Sequence, residues 1–331
     1  MSFEKPVSIL AMGKYLPQKV DSSTIERNYD IPDSWAEKNS GVRSRHQVTF
    51  ESGAYMGARA IEDALEKADI GIGEVDLIIS ASATFDYPIP NQASVIKSEL
   101  DKGFAFDCAT MDVDSTCLSF ISGFETAASL LDGVRYKNIV VVSAEISSKG
   151  LDSKNWETIT LFGDGAVAAI LRYDEQGGSS FIKGGMRTYS EGVAHTIIKG
   201  GGNKYPIKDF PYDPGLHSFG MDGFKILKLA KKKIPLFAEW FFSDLPMDIE
   251  DINAIFPHQG SKVGLTIFRR LFNFKENQVK ENLSDYGNCI AASIPLLLHD
   301  EIEKGMVDRG DTCLLIGTSA GFSIGATLFR Y

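Results

Sequence analysis

Gly165-Ala166-Val167-Ala168-Ala169-Ile170-Leu171-Arg172-Tyr173 and Gly325-Ala326-Thr327-Leu328-Phe329-Arg330-Tyr331 both open on Gly-Ala and close on Arg-Tyr, about half a chain apart. Each is preceded by an apolar run that reads as a buried strand: Asn138-Ile139-Val140-Val141-Val142-Ser143-Ala144 before the first and Thr312-Cys313-Leu314-Leu315-Ile316-Gly317-Thr318 before the second. A strand pair repeated at that distance points to an internal duplication. Between such runs lie amphipathic stretches, for instance Ser52 to Ala68 with Met56, Ile61 and Leu65, so the expected class is α/β in layers. The expected division is an N-terminal half over residues 1–174 and a C-terminal half over residues 175–331. Near the start of the second half, over residues 184–220, glycines and Pro206, Pro211 and Pro214 replace any periodicity, and the segment reads as a pocket cover.

Composition bounds the function classes. A chain of 331 residues, 44% hydrophobic and 24% charged, is ordinary for a soluble globular enzyme with a sizeable core. The four cysteines, at 108, 117, 289 and 313, show neither metal-ligand spacing nor a disulfide scaffold, so reduced thiols and no metal are expected. The opening Met1-Ser2-Phe3-Glu4-Lys5 lacks a basic region followed by an apolar run. No apolar stretch approaches the roughly 20 residues that span a bilayer, so a cytoplasmic protein with no membrane association is expected. A net charge of -10 argues against nucleic acid as a partner. Lys225, Lys228, Lys231, Lys232 and Lys233 nevertheless share one expected helix, and Lys262, Arg269 and Arg270 follow His258. A solvated helix face is the plain reading; a basic rim that steers an acidic protein partner is the sharper one.

Three local contexts carry chemistry: Asp114-Ser115-Thr116-Cys117-Leu118-Ser119-Phe120, Phe256-Pro257-His258-Gln259-Gly260 and Tyr286-Gly287-Asn288. A lone cysteine ahead of an apolar helix is commonly a small buried hydrophobe. Beside a histidine and an asparagine in these settings, it suits carbon–carbon bond formation on a cysteine-bound acyl group. Phe120, Phe124, Ala128 and Leu131 fall on one helical face, which places Cys117 at a helix N-terminus, where the macrodipole is expected to lower its pKa. Asp164, between two glycines, reads as a backbone cap, and Cys289 as packing.

Together these stretches resemble the 3-oxoacyl-acyl-carrier-protein synthase III family of the thiolase superfamily. The resemblance extends to Trp35-Ala36-Glu37-Lys38-Asn39-Ser40-Gly41-Val42-Arg43-Ser44-Arg45-His46, which is similar to that family's W-x4-T-G-I-R-x-R-H stretch, and to Leu161-Phe162-Gly163-Asp164-Gly165-Ala166. It implies a thiolase-like fold of duplicated βαβαβαββ halves in a five-layer αβαβα arrangement, a homodimer, and no cofactor beyond coenzyme A or acyl carrier protein as substrate carriers. It also implies the reaction: Cys117 takes the acyl group, and a decarboxylated malonyl thioester, its enolate held by His258 and Asn288, attacks to give a 3-oxoacyl thioester in fatty-acid or specialised acyl-chain and polyketide synthesis.

By the same resemblance the backbone N–H groups of Cys117 and Ala320 form the oxyanion hole, with Ala320 standing where the family usually has glycine. Tyr87 stands where the family places a residue that closes the partner's acyl pocket. Trp35, Trp156, Phe224, Lys228, Lys262 and Arg270 are the candidates for carrier and pantetheine binding. Asn39 and Trp156 replace two arginines that flank adenine in coenzyme A-using members, Val263 with Lys262 beside it replaces a docking arginine, and Phe224 replaces an asparagine. The stretch Gly317-Thr318-Ser319-Ala320-Gly321 has no second cysteine, which favours synthesis over thiolysis. Two alternatives stay open: head-to-head acyl condensation or acyl transfer to oxygen on the same cysteine, and a non-catalytic acyl-binding partner subunit.

Overall fold

In the computed structural model, which describes residues 4–243, 245 and 247–331, two main sheets organise the chain. Met1, Ser2 and Phe3, and with them the first residues of the N-terminal half, lie outside the described residues. The first sheet has five strands in the order Val7–Tyr15, Gly165–Tyr173, Asn138–Glu145, Leu77–Ser80 and Ala109–Asp112, the first two pairings antiparallel and the last two parallel. The second has four in the order Ser180–Thr188, Ser323–Arg330, Thr312–Ser319 and Ala254–Pro257, again two antiparallel pairings and then a parallel one. An isolated parallel bridge between Ile255 and Val279 stands where the fifth strand of the first sheet runs. The two repeated strand pairs thus occupy the same place in the two sheets.

Both faces of each sheet are covered, which is why the central strands are continuously apolar rather than alternating. In Asn138–Glu145 every residue is buried. Its odd-numbered side chains Ile139 and Val141 enter the core between the sheets, and its even-numbered Val140, Val142 and Ala144 enter an outer core. Helices Gly53–Ala68 and Gln92–Glu99 form that outer layer; Ser119–Leu130 and Ser293–Glu303 lie between the sheets; Gly223–Phe242 and Lys262–Phe272 cover the far side of the second sheet. This is the five-layer αβαβα arrangement. The helix expected from Ser52 onward is capped by Ser52, whose hydroxyl accepts from the Tyr55 N–H at 3.0 Å.

One expectation is corrected. Residues 184–188 are not an irregular cover but the end of the edge strand Ser180–Thr188. Gly184 and Gly185 are there for packing, since a Cβ at the first would lie 2.9 Å from the Glu125 carboxyl and at the second 2.7 Å from the Trp240 ring. The rest of the segment, up to residue 220, is short pieces: turns at Ser190–Gly192 and Pro214–His217, and two-residue strands at Thr196–Ile197 and Gly220–Met221. Among the described residues no helix is long and apolar enough to cross a membrane.

Charges stitch the halves together. Lys14, on the first strand, donates to Asp300 at 2.6 Å, and His299 lies between Asp300 at 3.3 Å and Lys67 at 3.1 Å. Burial alone would raise the Asp300 pKa, but hydrogen bonds from His299, Lys14 and Tyr286 and the Lys14 charge leave it well below the usual carboxylate range. A depressed folded-state pKa contributes stability that is complete above the ordinary value of 3.8 and is lost as pH falls through the lower folded value. Asp300→Asn is therefore expected to destabilise the protein by about 2 kcal/mol near neutrality, the partial exposure of Lys14 limiting the figure. Urea midpoints should show that difference unchanged down to about pH 5 and shrinking below about pH 4. A pH-independent difference would show that the carboxylate charge is not what matters.

Candidate active site

Cys117 sits in a 3-10 turn, Thr116–Leu118, one short turn ahead of the helix Ser119–Leu130 rather than on its first residue. The turn is held from both sides. Thr116 is left-handed, with φ +54°, and its N–H donates to Asp114 at 2.7 Å. The Ser119 hydroxyl accepts from the Ser115 N–H at 2.9 Å and donates to the Thr116 carbonyl at 2.7 Å. The helical face expected from the sequence, Phe120, Phe124, Ala128 and Leu131, is buried between the sheets and anchors the turn.

The expected lowering of the thiol pKa is overturned. The N–H groups of Ala320 and of Cys117 itself are directed at the sulfur and favour the thiolate, but burial in surrounding protein, the Glu145 carboxylate and Asp114 outweigh them and push the thiol up to about 12. Cys117 keeps partial solvent access as a residue. Its sulfur nevertheless rests as a thiol.

His258 follows directly on the strand Ala254–Pro257, and its N–H donates to the Ile316 carbonyl of the neighbouring strand at 2.9 Å. Its Nδ1 is buried and has no hydrogen-bond partner among the described residues, and burial lowers the imidazole to about 4, so the ring is neutral at physiological pH. Gly317 lies between this histidine and the cysteine turn: a Cβ there would sit 2.7 Å from His258 Cβ and 3.2 Å from the Leu118 side chain. Only a glycine lets the two elements approach so closely.

Asn288 is placed by the other two motifs. The Asn288 N–H donates to the Leu161 carbonyl at 2.9 Å and the Gly163 N–H to the Asn288 carbonyl at 3.1 Å, while a Cβ on Gly163 would stand 2.2 Å from the Tyr286 carbonyl. The Phe-Gly-Asp-Gly-Ala stretch is therefore the cradle of Tyr-Gly-Asn. Gln259, fully buried, accepts through Oε1 from the N–H groups of Asn282 at 3.2 Å and Leu283 at 3.1 Å, tying the histidine loop to the same place. The Asn288 side chain donates from Nδ2 to the Gly260 carbonyl at 3.4 Å and accepts through Oδ1 from the left-handed Ile290 at 2.9 Å. The turn Ile290–Ala292 packs against the Cys117 turn. Asp164 caps backbone as expected, accepting from the N–H groups of Val48 at 3.0 Å and of Ser147 and Ser148 at 2.9 Å.

Ala320 ends the strand Thr312–Ser319, with Gly321 and Phe322 left-handed after it. Its carbonyl accepts from the Thr116 hydroxyl at 3.4 Å, which leaves its N–H facing the cysteine. Around this centre, Trp35 and Trp156 meet edge to face with centroids 6.0 Å apart. Asn39 turns back to the Trp35 carbonyl at 2.8 Å, and Lys262 lays its alkyl chain on Gly41. Phe224, Lys228, Val263 and Arg270 are exposed on the two outer helices, and Tyr87 is 57% exposed in the loop Phe85–Pro88. Lys225 is paired with Asp222 at 2.8 Å and Lys233 with Glu191 at 2.7 Å. The residue missed in the sequence is Glu145. Its signal was a carboxylate closing an otherwise uncharged buried strand.

Comparison with known proteins agrees with this geometry. The model of the family described as 3-Oxoacyl-[acyl-carrier-protein (ACP)] synthase III matches residues 111–190, and that of its C-terminal part matches residues 243–331. The beta-ketoacyl-[acyl-carrier-protein] synthase III of Clostridium beijerinckii is 32% identical over 98% of this chain and 99% of its own, and that of Clostridium tetani 31% identical over 99% of each. The crystal structure of 3-oxoacyl-[acyl-carrier-protein] synthase III from Aquifex aeolicus superposes with a TM-score of 0.87 at 27% identity, covering 98% of this chain and 100% of that one. A duplicated α/β fold, a cysteine turn closed upon by a histidine and an asparagine, and likeness over nearly the whole length place the chain in the 3-oxoacyl-[acyl-carrier-protein] synthase III family of condensing acyltransferases.

Proposed function

We propose that Cys117, His258 and Asn288 divide between them the two half reactions of this family's decarboxylating Claisen condensation, in which a cysteine-bound acyl group and a malonyl thioester give a 3-oxoacyl thioester. One observation carries the assignment: an imidazole kept neutral by burial, its Nδ1 unbonded, stands against the turn of a cysteine that rests as a thiol. In the first half reaction Cys117 Sγ attacks the thioester carbonyl. Its proton passes to His258 as the S–C bond forms, since the resting pair holds it on sulfur. The tetrahedral oxyanion lies between the N–H groups of Cys117 and Ala320; on its collapse the C–S bond to the carrier breaks, and the carrier thiolate takes the proton from His258.

In the second half reaction the bond to the malonyl carboxylate breaks, carbon dioxide leaves, and its electron pair forms an enolate. A ring N–H of His258 and Asn288 Nδ2 donate to the enolate oxygen. The enolate carbon attacks the acyl-Cys117 carbonyl; cleavage of the C–S bond expels Cys117 as the thiolate, which takes a proton from water to return to the resting thiol. An amide suits position 288 because it donates without removing the substrate's proton. The family's chemistry needs no cofactor beyond the carriers of its substrates.

The acyl group is proposed to arrive preferentially on acyl carrier protein. Two places read as arginines in coenzyme A-using relatives hold Asn39, engaged with its own helix, and Trp156, lying against Trp35. Lys228, Lys262 and Arg270 offer charge for an acidic carrier, and Trp35, Trp156 and Phe224 line its phosphopantetheine path. Acylation of Cys117 is expected to be at least about tenfold faster from the carrier protein than from the same acyl-coenzyme A, and to slow about tenfold and lose salt dependence in Lys228→Glu with Arg270→Glu. Rates equal or faster from coenzyme A and indifferent to the charge reversals would sink this part.

The same reading takes the protein as a cytoplasmic homodimer with halves meeting at residues 174 and 175. Support for a dimer comes from the edge strand Ala109–Asp112, which among the described residues has no neighbouring strand on its outer side, together with the exposed Phe85, Tyr87, Ile89, Phe104 and Met111. In that dimer Tyr87 closes the partner's acyl pocket.

A further inference from the structure

Glu145 is fully buried at the end of the strand Asn138–Glu145, and its partners are neutral donors. Oε1 accepts from the Ala83 N–H at 2.8 Å; Oε2 accepts from the Thr84 N–H at 3.0 Å and the Thr84 hydroxyl at 2.6 Å. A further hydrogen bond comes from the backbone of Ala291. These donors belong to two separate parts of the chain. Ala83 and Thr84 are the root of the loop Phe85–Pro88, which carries Tyr87. Ala291 belongs to the turn that follows Asn288 and packs against the turn of Cys117. Thr84 also takes the Ile146 N–H at 3.1 Å, so strand end, loop root and site turn form one hydrogen-bonded knot.

We propose that Glu145 is a positioning residue: its buried carboxyl group fastens the root of the Tyr87 loop to the turn beside Cys117, and once ionised it opposes the negative charge of the Cys117 thiolate. The reading rests on Cys117 as nucleophile and Tyr87 as pocket gate. The titratable groups facing the sulfur are Glu145, Asp114 and the neutral His258. Those facing Glu145 are Cys117 and Cys289, the latter also near Asp164. Burial holds Glu145 up to about 8 against its four hydrogen bonds, so carboxylate and thiol titrate as a coupled pair in which either charge opposes the other. A thiol at rest is a poor target for alkylation and oxidation, both of which need the thiolate.

The test is alkylation of Cys117 by iodoacetamide from about pH 6 to about pH 11, a midpoint above that range being read from the displacement of the log-rate against pH line, with the modified residue identified by mass spectrometry. Alkylation needs no turnover, so it reports on this proposal even if the reaction assignment is wrong. Glu145→Gln, similar in shape and uncharged, is expected to move the alkylation midpoint down by about one pH unit or more, while Glu145→Asp, which keeps the charge, leaves it near the wild-type value. Both variants are expected to alter the ratio of acylation rates for short and long acyl starters, because the loop root is no longer held. An unchanged or raised midpoint in Glu145→Gln, or an unaltered starter ratio in both variants, overturns the proposal. If Glu145→Gln does not fold, Glu145→Asp decides through the starter ratio: a ratio equal to that of the wild type overturns the proposal, and an altered one supports it.

Discussion

Cys117→Ala is expected to abolish the acyl adduct and to lower condensation by roughly 10⁴-fold or more, because it removes the atom that carries the acyl group. The fold should survive, since the turn is held by Asp114, Ser115, Thr116 and Ser119 rather than by the sulfur. Intact-protein mass after incubation with an acyl thioester, measured beside product formation and a thermal melt, checks all three statements. Cys289 and Cys313 are poor substitutes: both are buried, and burial pushes their thiols far up. Cys108 packs against the outer helical layer, away from His258. Turnover retained in the alanine variant, with the adduct on any of these three, would remove the central assignment.

Asn288→Ala is expected to separate the half reactions: Cys117 still becomes acylated, while decarboxylation of the malonyl thioester and condensation fall by about 10²–10³-fold, the usual effect of losing one oxyanion donor. Asn288 also accepts from the left-handed Ile290, so the alanine variant loosens a turn as well. Asn288→Asp controls for this, keeping the acceptor oxygen while removing the amide donor. Adduct mass and carbon dioxide release are the measurements. Decarboxylation at the wild-type rate in both variants would mean that the enolate is held elsewhere.

The fold was legible where burial on both faces of a sheet left its mark as uninterrupted Val, Ile, Leu and Ala. Residues 138–144 and 312–318 could be read as equivalent strands because each apolar run precedes a stretch from Gly-Ala to Arg-Tyr, repeated half a chain apart. The span 184–188 misled because its glycines looked like loop, whereas they make room for Glu125 and Trp240 on a strand. No local pattern announces a neighbour that distant in sequence. The same holds for Glu145: a carboxylate at a strand end looks like solvent-facing punctuation until the strand is seen buried to its last residue.

By itself the sequence determined which groups are the candidates for the chemistry and the duplicated frame that holds them, since both depend on residue type and short-range periodicity. Tertiary structure alone decided the electrostatics. The helix start predicted a lowered thiol pKa at Cys117, but the macrodipole and two N–H groups act against burial, the Glu145 carboxyl from a distant strand and the neighbouring Asp114, and the sum reverses the sign. It also decided why the motifs occur together: Gly163 and Gln259 exist to place Asn288, and Gly317 to let His258 reach the cysteine turn, contacts between strand ends far apart in sequence. Charge and close approach are sums over everything nearby in space, and a linear chain records only its neighbours along the backbone.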